Sequence, residues 1–185
     1  MPAKIYENAP DAINHSIDHV LQTWHPDLKE AGLRVAALFV YKLDTETGTL
    51  LPCLRLHGAP AAATIRRLSD REKANREFDV EITIDKAQWE SFQPPSRLAL
   101  LDHELTHVVL KKHPKTGILL KTEEGHVIVR LQQDDFTLTG FTGIVARHGT
   151  QALEWQSVER VQSALSTILS ERSSVPAGHQ APLAI

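Results

Sequence analysis

The segment Leu101-Asp102-His103-Glu104-Leu105-Thr106-His107 carries the pattern H-E-x-x-H inside an apolar stretch of helical periodicity. The pattern works only on a helix. Positions i and i+4 share one face about one turn apart, so His103 and His107 can present ring nitrogens to a single ion. Glu104 then projects beside that ion, where a carboxylate can take a proton from a water whose pKa zinc lowers to roughly 7. Leu98, Leu101, Leu105 and Val108 form an apolar stripe that has to be buried, with the histidines flanking it. The pattern points to zinc-dependent hydrolysis of peptide bonds. The plainer alternative is a surface helix with two solvated histidines, since 10 His in 185 residues produce short motifs by accident.

Composition narrows the setting. A chain of 185 residues with 42% hydrophobic content has room for one domain with a real core. Residues 1–172 read as that domain, and 173–185, rich in Ser, Pro, Ala and Gly, read as a disordered tail. A net charge of −3 gives no general attraction to nucleic acid or anionic membrane. The single cysteine, Cys53, excludes an internal disulfide and a cysteine metal cluster, so a zinc site must use His and carboxylates. No basic-then-apolar leader and no long apolar run occur, which predicts a cytoplasmic protein without a membrane partner. The oligomeric state is left open.

Along the chain, residues 10–24 predict a helix with Ile13, Ile17, Val20 and Leu21 on one face and His25-Pro26 as its stop. His15 and His19 repeat the i, i+4 spacing there but lack an intervening glutamate, and they read as surface residues. Residues 33–43 predict a strand turning through Asp44 to Gly48 into a partner at 50–56, and a further strand starts near residue 63. Residues 66–76 mix Arg66, Arg67, Arg71, Lys73 and Arg76 with Asp70 and Glu72, reading as a solvated loop rather than a nucleic-acid surface.

Residues 78–84 alternate apolar and polar side chains, which predicts a half-buried strand. Asp85 is placed to cap a short helix with Trp89 and Phe92, and Pro94-Pro95-Ser96 to break it and cap the motif helix. His113 to Gly117 reads as a turn, 118–121 and 126–131 as β segments, 136–147 as a helix stopped by Gly149, and 153–172 as a final amphipathic helix.

A catalytic zinc takes three protein ligands and keeps one position open. Downstream candidates for the third are His113, Glu123, Glu124, His126, Asp134, Asp135 and His148. His113 sits too close after His107, Glu123 and Glu124 fall at a hairpin tip, His126 starts a strand, and His148 near a helix end can serve the helix dipole.

Several colinear stretches resemble the phage metallopeptidase family. They are Tyr6-Glu7-Asn8-Ala9-Pro10, the run from Leu56 through His57-Gly58-Ala59-Pro60 to Ala62, Val80 to Asp85, Ala99 to His107, and Phe141 to Ile144 followed by Arg147-His148-Gly149. The resemblance spans roughly residues 5 to 160, and only its histidine motif is mechanistically specific. It implies an α+β fold, a compact zincin-like domain whose small mixed or antiparallel sheet packs on the motif helix. The family's second metal segment reads His-Asp-aromatic ahead of a Phe-containing helix ending in Arg-His-Gly. Matching back from Arg147-His148-Gly149 through Phe141 sets Asp134 where that histidine stands. The resemblance thus implies Zn2+ held by His103, His107 and Asp134, with His126 or Asp135 as alternatives and Glu104 as the catalytic base. Aspartate is an acceptable ligand at about 2.0 to 2.2 Å, and its charge raises the pKa of the bound water somewhat.

Three functions follow as expectations. The first is a zinc metallopeptidase acting on protein or peptide, with residues 78–84 standing ahead of the motif helix as the edge strand does in peptidases that pair it with extended substrate. Asp102 is a candidate to orient a ligand, or is simply solvated or capping, and Tyr41, Arg147 and His148 are unassigned candidates for oxyanion stabilisation. The second is similar to SprT-like proteases, with residues 66–76 facing DNA. The third is a non-catalytic metal-binding or protein-binding module that retains the fold.

Overall fold

Three strands lay one apolar layer, and the helices cover it. The computed structural model describes residues 3–133, 159 and 162–167. The chain divides into two compact units, Met1–Gln133 and Asp134–Ile185. The first unit runs β1 (Ile5–Asn8), α1 (Asp11–Trp24), α2 (Pro26–Ala31), β2 (Val35–Leu43), β3 (Leu50–Leu51), β4 (Arg55–Leu56), β5 (Ala59–Pro60) and β6 (Ala63–Arg67). It continues with α3 (Asp70–Lys73), β7 (Val80–Asp85), α4 (Lys86–Ser91), α5 (Pro94–Thr106), β8 (Val108–Leu110) and β9 (Val129–Leu131).

The main sheet has the order β1-β2-β7-β6, with β3 beside the end of β2. Only β2 and β7 are parallel, so the sheet is mixed and the fold is α+β. The register sets Val35, Ala37 and Phe39 beside Val80, Ile82 and Ile84, and Ile82 and Ile84 beside Ile65 and Ala63. Because strand side chains alternate, these eight share one face. The same buried cluster takes in Ile13, Ile17, Val20 and Leu21 from α1, Trp89 from α4, Leu101 and Leu105 from α5, and Val108, Val127 and Val129.

The opening helix forms as its apolar spacing predicts. His25 leaves helical geometry at φ −129°, and Pro26 then takes the first position of α2, a helix missed because six residues show no periodicity. The turn after β2 is closed by the Asp44 carboxylate, which accepts from the backbone N–H groups of Glu46 and Thr47 at 2.9 Å each. The strand expected over 50–56 breaks into β3 and β4. Asp85 Oδ2 takes the N–H groups of Cys53 and Leu54 at 2.7 and 2.9 Å, so they bond a side chain instead of a neighbouring strand.

Two expectations are corrected around β7. It is not half-buried and not an edge. It lies between β2 and β6, and Glu81 and Asp85 on its polar face, with Asp79 just ahead of it, are buried like its apolar residues. Arg66 and Arg76 reach Glu81 at 2.8 and 2.9 Å, which lets that carboxylate leave water. The edge strand on this side is β6.

Residues 66–76 are likewise not a bare loop. Arg66 and Arg67 belong to β6, and Ser69 with Glu72 forms a reciprocal capping box that starts α3.

Beyond the motif helix, His113 to Gly117 is a turn closed by His113 N–H to Ile118 O at 2.8 Å, with Gly117 at φ +69°. The expected strands at 118–121 and 126–131 reduce to single bridges at Leu119 and Val127 and the three residues of β9. The helix predicted over 136–147, its stop at Gly149, the boundary at 172 and the tail from 173 lie outside the described residues. Within the predicted final helix, residues 159 and 162–167 are helical, and Leu165 of its apolar stripe is 52% exposed. Among the described residues no helix is long and apolar enough to cross a membrane.

Candidate metal centre

The motif helix α5 starts with Pro94 at its first position, where the missing N–H costs nothing; Ser96, expected to cap it, lies inside the first turn. Leu101 and Leu105 are fully buried and fix the rotation of the helix about its axis. That rotation buries Glu104, leaves His103 exposed and half-buries His107. His107 is the C-cap residue but keeps right-handed helical angles, φ −64° and ψ −21°, so the i, i+4 relation with His103 survives the end of the helix. The two rings meet edge to face, 4.9 Å between centroids, with their Nε2 atoms 3.3 Å apart.

The hairpin of β8 and β9 sets the second ring. Gln132, just past β9, places its carbonyl oxygen 2.8 Å from His107 Nδ1. A carbonyl can only accept, so Nδ1 carries the proton and the Nε2 lone pair of the neutral ring is turned toward His103. With zinc–nitrogen bonds of 2.0 to 2.1 Å at a tetrahedral angle, two bound nitrogens stand about 3.3 to 3.4 Å apart. The Nε2 separation matches, and two imidazoles are a donor set zinc accepts. Both histidines also lie in the last turn of a helix, where the backbone dipole favours positive charge.

Other residues singled out from the sequence have different partners. Asp102 Oδ1 is 2.7 Å from His25 Nε2, tying α5 to the junction of α1 and α2, while Thr106 Oγ1 donates to the Asp102 carbonyl. His126, the rival third ligand inside the described region, is buried with Nδ1 2.8 Å from Asp79 Oδ1 and 2.6 Å from Arg34 Nη2. Its position at the start of a strand suggested an available ring, and in the structure that ring is buried with Nδ1 committed to Asp79 and Arg34. His113 Nδ1 accepts from Thr116 within the turn. Glu124 is exposed, its carboxyl held below the usual range by its own backbone N–H and by Thr122. His19 meets Trp24 edge to face, and Tyr41 donates to Glu7.

Among the described residues no group of three or more His, Cys, Asp or Glu side chains is arranged to hold a metal, so His103 and His107 have no third protein ligand there. Asp134, Asp135, Arg147 and His148 lie outside the described residues. Gln132 was not foreseen, because a main-chain carbonyl leaves no residue-type signal.

Arg66 also bonds Glu72 at 2.7 Å and Lys73 Nζ stands 3.7 Å from Asp79, so Arg66, Lys73 and Arg76 of the basic run face acids of the same unit.

No curated protein and no solved structure matches the chain. The model of the family described as "Putative phage metallopeptidase" matches residues 6–165. That match takes in all of the main sheet but Ile5, the motif helix and the hairpin that holds His107, and the chain belongs to this family.

Proposed function

We propose that the protein is a zinc-dependent metallopeptidase in which His103, His107 and Asp134 hold the ion and Glu104 is the general base. The observation that carries this reading is the 3.3 Å separation of the two Nε2 atoms, with His107 fixed as the Nδ1–H form. Asp134 follows Gln132 by two residues in the chain. A ligand that close along the chain to the carbonyl gripping His107 suits a third position.

Bound zinc would polarise the scissile carbonyl and lower the pKa of the attacking water. Glu104 takes the water's proton and passes it to the leaving amine. Its burial at the position next to His103 shields the carboxylate from bulk water, which strengthens its electrostatic influence on the reacting atoms. The substrate is a protein or peptide met in the cytoplasm of an infected cell.

The test is zinc stoichiometry by elemental mass spectrometry on untagged wild type, His103→Ala and Asp134→Ala, with peptide-library hydrolysis by wild type and Glu104→Gln. One zinc per chain, lost in both ligand variants, with hydrolysis reduced about 10²- to 10⁴-fold in Glu104→Gln while zinc is kept, supports the proposal. Zinc lost only in His103→Ala moves the third ligand elsewhere. A second reading, a non-catalytic binding module, is motivated by Asp134 standing where the family's histidine is expected. Zinc binding with no hydrolysis dependent on Glu104 would select it.

A further inference from the structure

Gln132 makes three hydrogen bonds to the last turn of α5. Its backbone N–H donates to His107 O at 2.8 Å, its side-chain Nε2 donates to Thr106 O at 2.8 Å, and its carbonyl accepts from His107 Nδ1 at 2.8 Å. Two of these bonds satisfy carbonyls that the end of a helix leaves without intrahelical partners. The third determines which nitrogen of His107 carries the proton. One residue at the end of a strand thus closes the helix and sets the tautomer of a ring in that helix.

We infer that Gln132 is a positioning residue that prepares His107 for metal binding, its side-chain amide anchoring the backbone carbonyl that holds the ring. The inference rests on the zinc reading but concerns a residue outside the ligand set. The carbonyl exists whatever residue stands at 132, but its aim depends on where the main chain is held. The bond from Nε2 to Thr106 O is the only one of the three that requires a glutamine. Without it, the junction of β9 with the helix end is held by main chain alone, and the ring loses part of its constraint. Partners behind a metal-bound histidine typically contribute 10- to 100-fold in metal affinity. An anchor one step further back belongs at the lower end of that range.

Gln132→Glu keeps the shape of the side chain and removes its donor at neutral pH, while Gln132→Ala removes the whole amide. Both are compared with wild type by zinc affinity in chelator competition and by ¹⁵N NMR of His107 in the metal-free protein, with thermal melting as a check on folding. The expected result is zinc binding weakened about tenfold in both variants, with the Nδ1–H form of His107 dominant in wild type and mixed with the other tautomer in the variants. Unchanged zinc affinity together with an unchanged tautomer would overturn the inference and leave the zinc reading standing. A wild type that binds no zinc would overturn that reading, and the tautomer measurement would still decide whether Gln132 sets the ring. A lowered melting temperature with the Nδ1–H form intact would reduce Gln132 to a structural tie and also overturn it.

Discussion

His25 Nε2 stands 2.7 Å from Asp102 Oδ1, so the residue just before the first histidine of the motif is bonded to the residue that separates α1 from α2. The contact joins positions 77 apart and fixes the outer side of the motif helix, while Leu101 and Leu105 fix the inner side. Replacing His25 with Ala is expected to lower stability by about 1 kcal/mol, the usual net value of one hydrogen bond. Urea denaturation measures it, and Asp102→Asn, which keeps an acceptor oxygen, is expected to lose less.

The apolar side of the same helix matters more. Leu105 is fully buried, and Leu105→Ala is expected to cost about 2 to 5 kcal/mol through lost transfer energy and the cavity left behind. Chemical denaturation reports the loss, and a drop below 1 kcal/mol would mean that the helix is not seated on the sheet as described.

Asp79 is fully buried and gathers Lys73 Nζ at 3.7 Å, His126 Nδ1 at 2.8 Å and the Arg34 backbone N–H at 2.9 Å. Removing the carboxylate strands a buried ammonium. Asp79→Ala is therefore expected to destabilise the fold by about 3 to 5 kcal/mol, more than any exposed ion-pair change. Thermal melting compares it with Asp18→Ala, which breaks the exposed pair with Lys29 and is expected to shift stability by less than about 1 kcal/mol.

The capping box carries a pH signature. The Glu72 carboxyl is pulled down to about 2, first by the backbone N–H of Ser69, then by its hydroxyl and by Arg66. A lowered folded-state pKa means that its stabilisation is complete above the ordinary value of 4.5 and is lost as pH falls toward 2. Carboxyl NMR titration should show Glu72 protonating well below the ordinary 4.5, and Ser69→Ala should raise its midpoint.

Much of this architecture is legible in the residues. The stripes of α1 and α5, the turn at Asp44 and the cap at Asp85 depend on neighbours a few positions away, and local spacing reveals them. The polar side of β7 is different. Alternation marks Glu81 as facing away from the apolar layer, but only the antiparallel register that brings Arg66 across from it shows that water is excluded there. His126 is a related case, because Asp79, which faces its Nδ1, lies 47 positions away. At the metal centre the two histidines and Glu104 announce themselves, whereas the carbonyl that prepares His107 is invisible to any reading of side chains.

The buried acids flanking and within β7 have a bearing on how the chain folds. Asp79 needs groups from residues 34, 73 and 126, Glu81 needs 66 and 76, and Asp85 needs the amides of 53 and 54. A partly assembled sheet that buried one of these carboxylates before its partners arrived would leave an unpaired charge away from water, which disfavours it. The strand therefore acts as an assembly checkpoint. It disfavours partial intermediates, so the segment from 34 to 126 should lose and regain its hydrogen-exchange protection as one cooperative block.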